Sequence, residues 1–164
     1  MCKKRGKRNV PMPQENGVRE MTNSINVGLI MLGRPQFDLE LAHRFYQSVK
    51  DELTKAGVTL HAYDRPVTVA DEAAEAVKAV ADPCLDAYVV VQGTFTDATL
   101  AMAVARLIDK PLLIWATKEE PTLTDRLRLN SFCGLNLSAH ALYAAGRKYK
   151  GIYGEPACGK TMGE

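Results

Sequence analysis

Residues 85–97 read LDAYVVVQGTFTD, and the fold class turns on how that stretch is parsed. Leu85–Val91 is a short apolar run rich in β-branched residues, the pattern of a strand buried on both faces. It gives way to a polar turn, QGTFT, after which Asp97–Asp109 carries Leu100, Val104, Leu107 and Ile108 at helical spacing. A buried strand that passes directly into a helix is half of a parallel crossover.

The same unit recurs along the chain. Ile25–Leu32 (INVGLIML) reads as a buried strand. Asp38–Ala56 reads as a helix with Leu39, Ala42, Phe45, Val49, Leu53 and Ala56 on one stripe, ended by Gly57. Val58–Tyr63 alternates as an edge strand does. Thr68–Ala81 is expected to be a helix capped by Thr68, with Asp71 in an acidic capping box. Pro111–Trp115 (PLLIW) is a fourth strand, Leu135–Ala145 a helix, and Tyr149–Tyr153 a short last strand. Apolar first, third and fourth strands belong in the middle of the sheet, and the other two at its edges. The expectation is a flavodoxin-like three-layer αβα sandwich on a five-stranded parallel sheet of order 2-1-3-4-5.

Composition bounds the function. The 164 residues are 46% apolar and 24% charged, enough for one domain with a core of its own. No run approaches the ~20 apolar residues of a membrane span. The net charge of +2 is uneven: residues 1–20 hold six Lys/Arg and two Glu, which leaves 15 basic and 17 acidic residues beyond them. Neither nucleic acid nor a membrane is an expected partner. Residues 1–24 are expected to be a disordered basic tail, 25–154 the folded domain, and 155–164 a flexible tail or the edge of a truncation. Cys2, Cys84, Cys133 and Cys158 have no metal or disulfide spacing, which suits a reducing cytoplasm. Cys133 is read as a small buried residue. His43, His61 and His140 lie on three different elements without ligand spacing. GEPACGKT at 154–161 has the spacing of a phosphate-binding loop, but the three residues after it are too few for the helix such a loop needs, and it is read as coincidence.

In such folds ligands bind beyond the carboxyl ends of the strands. Those ends here are GRPQFD at 33–38, Asp64–Arg65, QGTFTD at 92–97 and WATKEE at 115–120, polar loops with a few rings. With VVVQGTFTDA, PLLIWATKEE and RLNSFCGLNLSAHAL (128–142), GRPQFD carries a resemblance to the amino-terminal domain of the L-fucose/L-arabinose isomerase family, running from about Asn26 to Tyr153. The resemblance implies a metal-dependent aldose–ketose isomerase of several domains that works as a trimer or hexamer. Its Mn²⁺ ligands and acid/base residues are expected on later domains, with no cofactor or metal in this chain, which alone is expected to be inactive. The amino-terminal domain would cover a neighbour's active site and touch the far hydroxyls of the sugar. On that likeness Arg34, Gln92, Phe95 and Trp115 are the candidate substrate-binding residues. Gln92 and Phe95 lie in the loop where the family places an aromatic substrate contact, but the loop reads QGTF and bears no Trp, so the sugar preference does not transfer.

Plainer roles compete. Arg34 would pair with Asp38, Asp38 and Thr96 would cap helices, Phe95 and Trp115 would pack, and Glu119 and Glu120 would be solvated loop charges. The alternative functions are a stand-alone sugar-binding or oligomerisation module and a flavin carrier. The latter is weakened because GRPQFD is not the Ser/Thr/Gly-rich cradle that a flavin phosphate needs.

Overall fold

A computed structural model describes residues 24–119 and 127–156. The basic tail, Glu120, Cys158 and most of the GEPACGKT motif lie outside the described residues. The elements are β1 (Asn26–Leu32), α1 (Leu39–Lys55), β2 (Thr59–Ala62), α2 (Ala73–Val80), β3 (Ala87–Gln92), α3 (Ala98–Ala105), β4 (Leu112–Ala116), α4 (Ser131–Ala144) and β5 (Lys150–Tyr153). All strand pairs are parallel, in the order β2-β1-β3-β4-β5.

The period of two along each strand divides the core. Leu29, Met31, Val89, Val91 and Trp115 face α1, which meets them with Leu41, Ala42, Phe45, Tyr46 and Val49. Ile30, Leu32, Tyr88, Val90 and Ile114 face the other way, toward Ala76, Leu100, Val104, Leu135 and Leu142 of α2, α3 and α4. Tyr46 fastens α1 to the sheet: its buried hydroxyl donates to Leu29 O at 3.0 Å and Tyr63 O at 2.9 Å. Burial pushes this phenol above its ordinary range, which keeps it a donor.

Three element boundaries differ from the periodicity. Helix α3 ends at Ala105, not Asp109, and Leu107 beyond it is exposed. The segment before α2 is a tight 3₁₀ turn, Ala70–Glu72, and the acid that closes it is Glu72, not Asp71. Its Oε2 accepts from Thr68 N at 2.7 Å, Thr68 Oγ1 at 3.1 Å and Val69 N at 3.3 Å. Helix α4 begins four residues before Leu135. Gly134, which weakens a helix on propensity alone, is retained because the helix lies against the end of β3 there. A Cβ on Gly134 would stand 2.5 Å from Gln92 Nε2 and 2.9 Å from Gln92 Cδ.

Gln92 is fully buried and its amide is hydrogen-bonded, so it has nowhere to retreat. Gly134→Ala is expected to cost ~1–3 kcal/mol through overpacking and to lower the Tm by several degrees, measured by calorimetry or circular dichroism. An unchanged Tm would show that the contact can relax.

Candidate functional site

Strand order reverses between β1 and β3, so the crevice of the fold lies between the loops that follow those two strands. The loops are stitched together. Gly93 N donates to Leu32 O at 2.9 Å, and Arg34 N donates to Thr94 Oγ1 at 2.9 Å. The Arg34 guanidinium donates through Nη2 to Asp97 Oδ2 at 2.6 Å, and the rings of Phe37 and Phe95 meet with centroids 5.8 Å apart. Two half-buried aromatic rings and an arginine–aspartate pair therefore bridge the crevice.

Asp97 also serves as the N-cap of α3, its Oδ1 accepting from Thr99 N at 2.9 Å. That corrects the expected cap at Thr96, which is fully buried and accepts from Gln92 Nε2 at 2.7 Å. Asp38 caps α1 as expected, accepting from Leu41 N at 2.8 Å. It does not pair with Arg34. Its Oδ2 accepts from Arg128 Nη2 at 2.6 Å and Nε at 3.1 Å, while Asp38 N donates to Arg128 O at 3.0 Å.

Glu119 is no solvated charge: its carboxylate accepts from Arg128 N at 2.7 Å, Leu129 N at 3.0 Å and Asn130 N at 2.7 Å. It thereby pins the stretch that leads into α4, whose preceding residue Asn130 lies in the left-handed region at φ 52°. Ser131 then donates to Gln92 O and accepts from Thr117 N at 3.2 Å.

Two of the expected sugar contacts are buried and hydrogen-bonded within the domain. Gln92 has no exposed surface; its Nε2 donates to Thr94 O at 2.8 Å and to Thr96, and its Oε1 accepts from Ser138 Oγ at 3.2 Å. It shapes the loop from beneath. Trp115 is 2% exposed, lies edge-on to Phe45, and donates from Nε1 to Gly154 O at 2.8 Å. Arg34 and Phe95 remain at the mouth, joined by Phe37 and Asp97, which the sequence reading did not put forward as ligand contacts.

Between α1 and the ends of β4 and β5 lies a hollow of about 290 Å³ lined by Arg44, Ser48, Thr117, Lys118, Leu129 and Pro156 among others, none of them a residue of the mouth. Cys133 is exposed on the first turn of α4, not buried. Among the described residues no group of three or more His, Cys, Asp or Glu is placed to hold a metal ion, and no helix is long and apolar enough to cross a membrane.

The carboxylates that cap the two helices at the mouth are held ionised. The Leu41 N–H, followed by the Arg128 guanidinium, lowers the Asp38 pKa from its ordinary 3.8. Hydrogen bonds from Thr99, with the nearby Arg34 cation, lower that of Asp97. A carboxylate whose pKa is lowered on folding adds stability above its unfolded value, and that stability is lost as pH falls through the folded value. Resistance to thermal unfolding is therefore expected to weaken below about pH 4. In Asp38→Asn, which keeps a capping side chain, the acid-induced fall in Tm should be shallower than in the parent. An equal slope in both proteins would remove Asp38 from the acid response.

The family model for the fucose/sulfoquinovose isomerase N-terminal domain matches residues 28–161. The sulfoquinovose isomerases of Priestia aryabhattai and Priestia megaterium are each 25% identical to the chain over 127 residues. That match covers 77% of this chain and 28% of each relative, so the chain spans little more than a quarter of their length. With its five parallel strands in the order 2-1-3-4-5 and the family match over most of its length, the chain belongs to the fucose/sulfoquinovose isomerase family as an N-terminal domain.

Proposed function

We propose that this domain is the substrate-covering wall of an aldose–ketose isomerase, binding the hydroxyl-bearing end of a sugar while the reacting carbons lie on another part of the enzyme. The observation that carries the reading is the bridged crevice: Arg34 and Asp97 beside Phe37 and Phe95, at the switch point of a domain from a sugar isomerase family. A guanidinium offers directional donors to hydroxyl oxygens. An aromatic face suits the C–H side of a sugar.

The described residues do not fit a metal site, so the Mn²⁺ of the proposed reaction would be held outside them. When bound, such a metal clamps two substrate oxygens and eases proton transfer between neighbouring carbons. In this reading the domain positions the far hydroxyls and excludes water, and in a trimer or hexamer it does so for a neighbouring subunit.

The flavin-carrier alternative meets a specific obstacle. A phosphate cradle after β1 needs free backbone amides, whereas Gly33 N already donates to Val67 O at 3.1 Å and Arg34 N to Thr94 Oγ1.

Saturation-transfer NMR on the chain with L-fucose, L-arabinose and sulfoquinovose tests the proposal. At least one sugar is expected to receive saturation, strongest at the carbons far from C1 and C2, and Arg34→Ala should remove most of it. Absence of transfer to every sugar would overturn the reading. Aldose–ketose conversion by this chain with added Mn²⁺ alone would overturn the assignment of the chemistry to another part of the enzyme.

A further inference from the structure

Arg34 reaches the mouth already paired. Its Nη2 donates to Asp97 Oδ2 at 2.6 Å, and its backbone N–H is held by Thr94 Oγ1, so both ends of the residue are anchored to the loop after β3. Asp97 is fixed in turn, because its other oxygen caps α3 through Thr99 N. One carboxylate thus ties the guanidinium to the end of a helix. The guanidinium has five N–H donors in one rigid plane, so this single contact restrains the group and leaves most of the donors for other partners.

We infer that Asp97 is the positioning and specificity-determining residue of the sugar site: it orients Arg34 and cancels its charge, so that this part of the mouth selects uncharged hydroxyls over anionic groups. The inference rests on the sugar-binding reading above. An unpaired arginine prefers an anion that can accept two parallel hydrogen bonds, such as a carboxylate, sulfonate or phosphate. An arginine that already carries a carboxylate attracts a second anion only against the repulsion of the first. A hydroxyl meets no such repulsion, and it accepts from the remaining donors with the geometry Asp97 has set. For a substrate with an anionic substituent the consequence is definite: that substituent lies away from Arg34, and a hydroxyl-bearing carbon lies against it. Phe37 and Phe95, packed on each other at the same two loops, add ring surface without charge and favour the same end of the molecule.

Asp97→Asn tests this, since Asn is as good an N-cap as Asp, while the amide nitrogen that takes the place of Oδ2 removes both the charge and the acceptor that hold Arg34. Asp97→Ser, another strong cap, repeats the test with a different side chain. The readout is the movement of the Arg34 and Thr94 amide resonances on titration with methanesulfonate, a sulfonate without a sugar, and separately with L-fucose, a neutral aldose. Ionic strength is kept low, because the side chains are 29% and 54% exposed and salt screens such pairs. The parent is expected to respond to the aldose and barely to methanesulfonate. Both variants should bind methanesulfonate roughly tenfold more tightly than the parent, and the anion should now displace the aldose. Adding Arg34→Ala to Asp97→Asn should abolish the gain. Equal methanesulfonate affinity in the parent and both variants would overturn the inference while leaving the sugar reading intact. A gain in anion binding with no aldose response in any protein would overturn the sugar reading, and with it the hydroxyl selection, while leaving the charge cancellation standing.

Discussion

Gln92 ends β3, the middle strand of the sheet, with no exposed surface, and its amide must find partners there because an unsatisfied buried polar group costs about 1–3 kcal/mol. The partners it finds shape the mouth. Its two N–H donors curl the next loop inward through Thr94 O and Thr96 Oγ1. That curl sets the Thr94 hydroxyl under Arg34 N and brings Asp97 to the start of α3. Its carbonyl groups take Ser131 and Ser138 from α4, which draws that helix so close that only glycine fits at residue 134. The arrangement of Arg34, Phe95 and Asp97 is therefore a consequence of how one buried amide is satisfied.

A second layer of constraint is electrostatic, and in it each carboxylate has two tasks. Asp38 caps α1 and holds Arg128; Asp97 caps α3 and holds Arg34. Glu119 gathers three successive amides at the entry to α4. Because each acid joins a helix end to a residue of another loop, the three loops around the crevice are held to the helices behind them. Exposed ion pairs contribute little one at a time. Their effect here is geometric, since a loop tied at both ends loses little further freedom when a ligand arrives.

The layers of this molecule were unequally legible. The short, largely apolar and β-branched runs at Ile25–Leu32 and Leu85–Val91, bounded by turn residues, have the length and composition of strands buried on both faces, so the sheet and its order followed from the sequence. Asp38 was readable as a cap because it stands directly before a helical stripe. The mouth was harder, because a short polar side chain in a loop has the same letter whether it faces solvent or the loop's own amides. Glu119 reads as a solvated charge for that reason, and nothing local marks Gln92 as fully buried at its strand end. The partner of Asp38 is ninety residues away and that of Arg34 sixty-three, separations over which no local pattern operates. Periodicity starts α4 at Leu135, past Gly134, because a glycine reads as a weak point until the neighbouring strand end is known. Phe37 and Asp97 lacked any sequence mark beyond their place in the two loops that flank the switch point.

The way polar groups are engaged at this face bears on what the domain can do in its family. Side chains that perform acid, base or nucleophilic chemistry must keep a lone pair or proton available to a substrate. At this mouth Asp38, Asp97 and Glu119 each direct hydrogen-bond acceptance inward, to backbone amides or to an arginine already fixed in place. Such a face is built to keep its shape. On the proposed reading, such a rim with aromatic surface and oriented donors would give a sugar a defined pose without taking part in bond making, which is the requirement on a wall and not on a reaction centre. On the proposed reading the paired arginine would differ from a free one in that its direction is restrained before a ligand arrives, so the interaction would select for geometry and for the absence of charge, not merely for the presence of an acceptor.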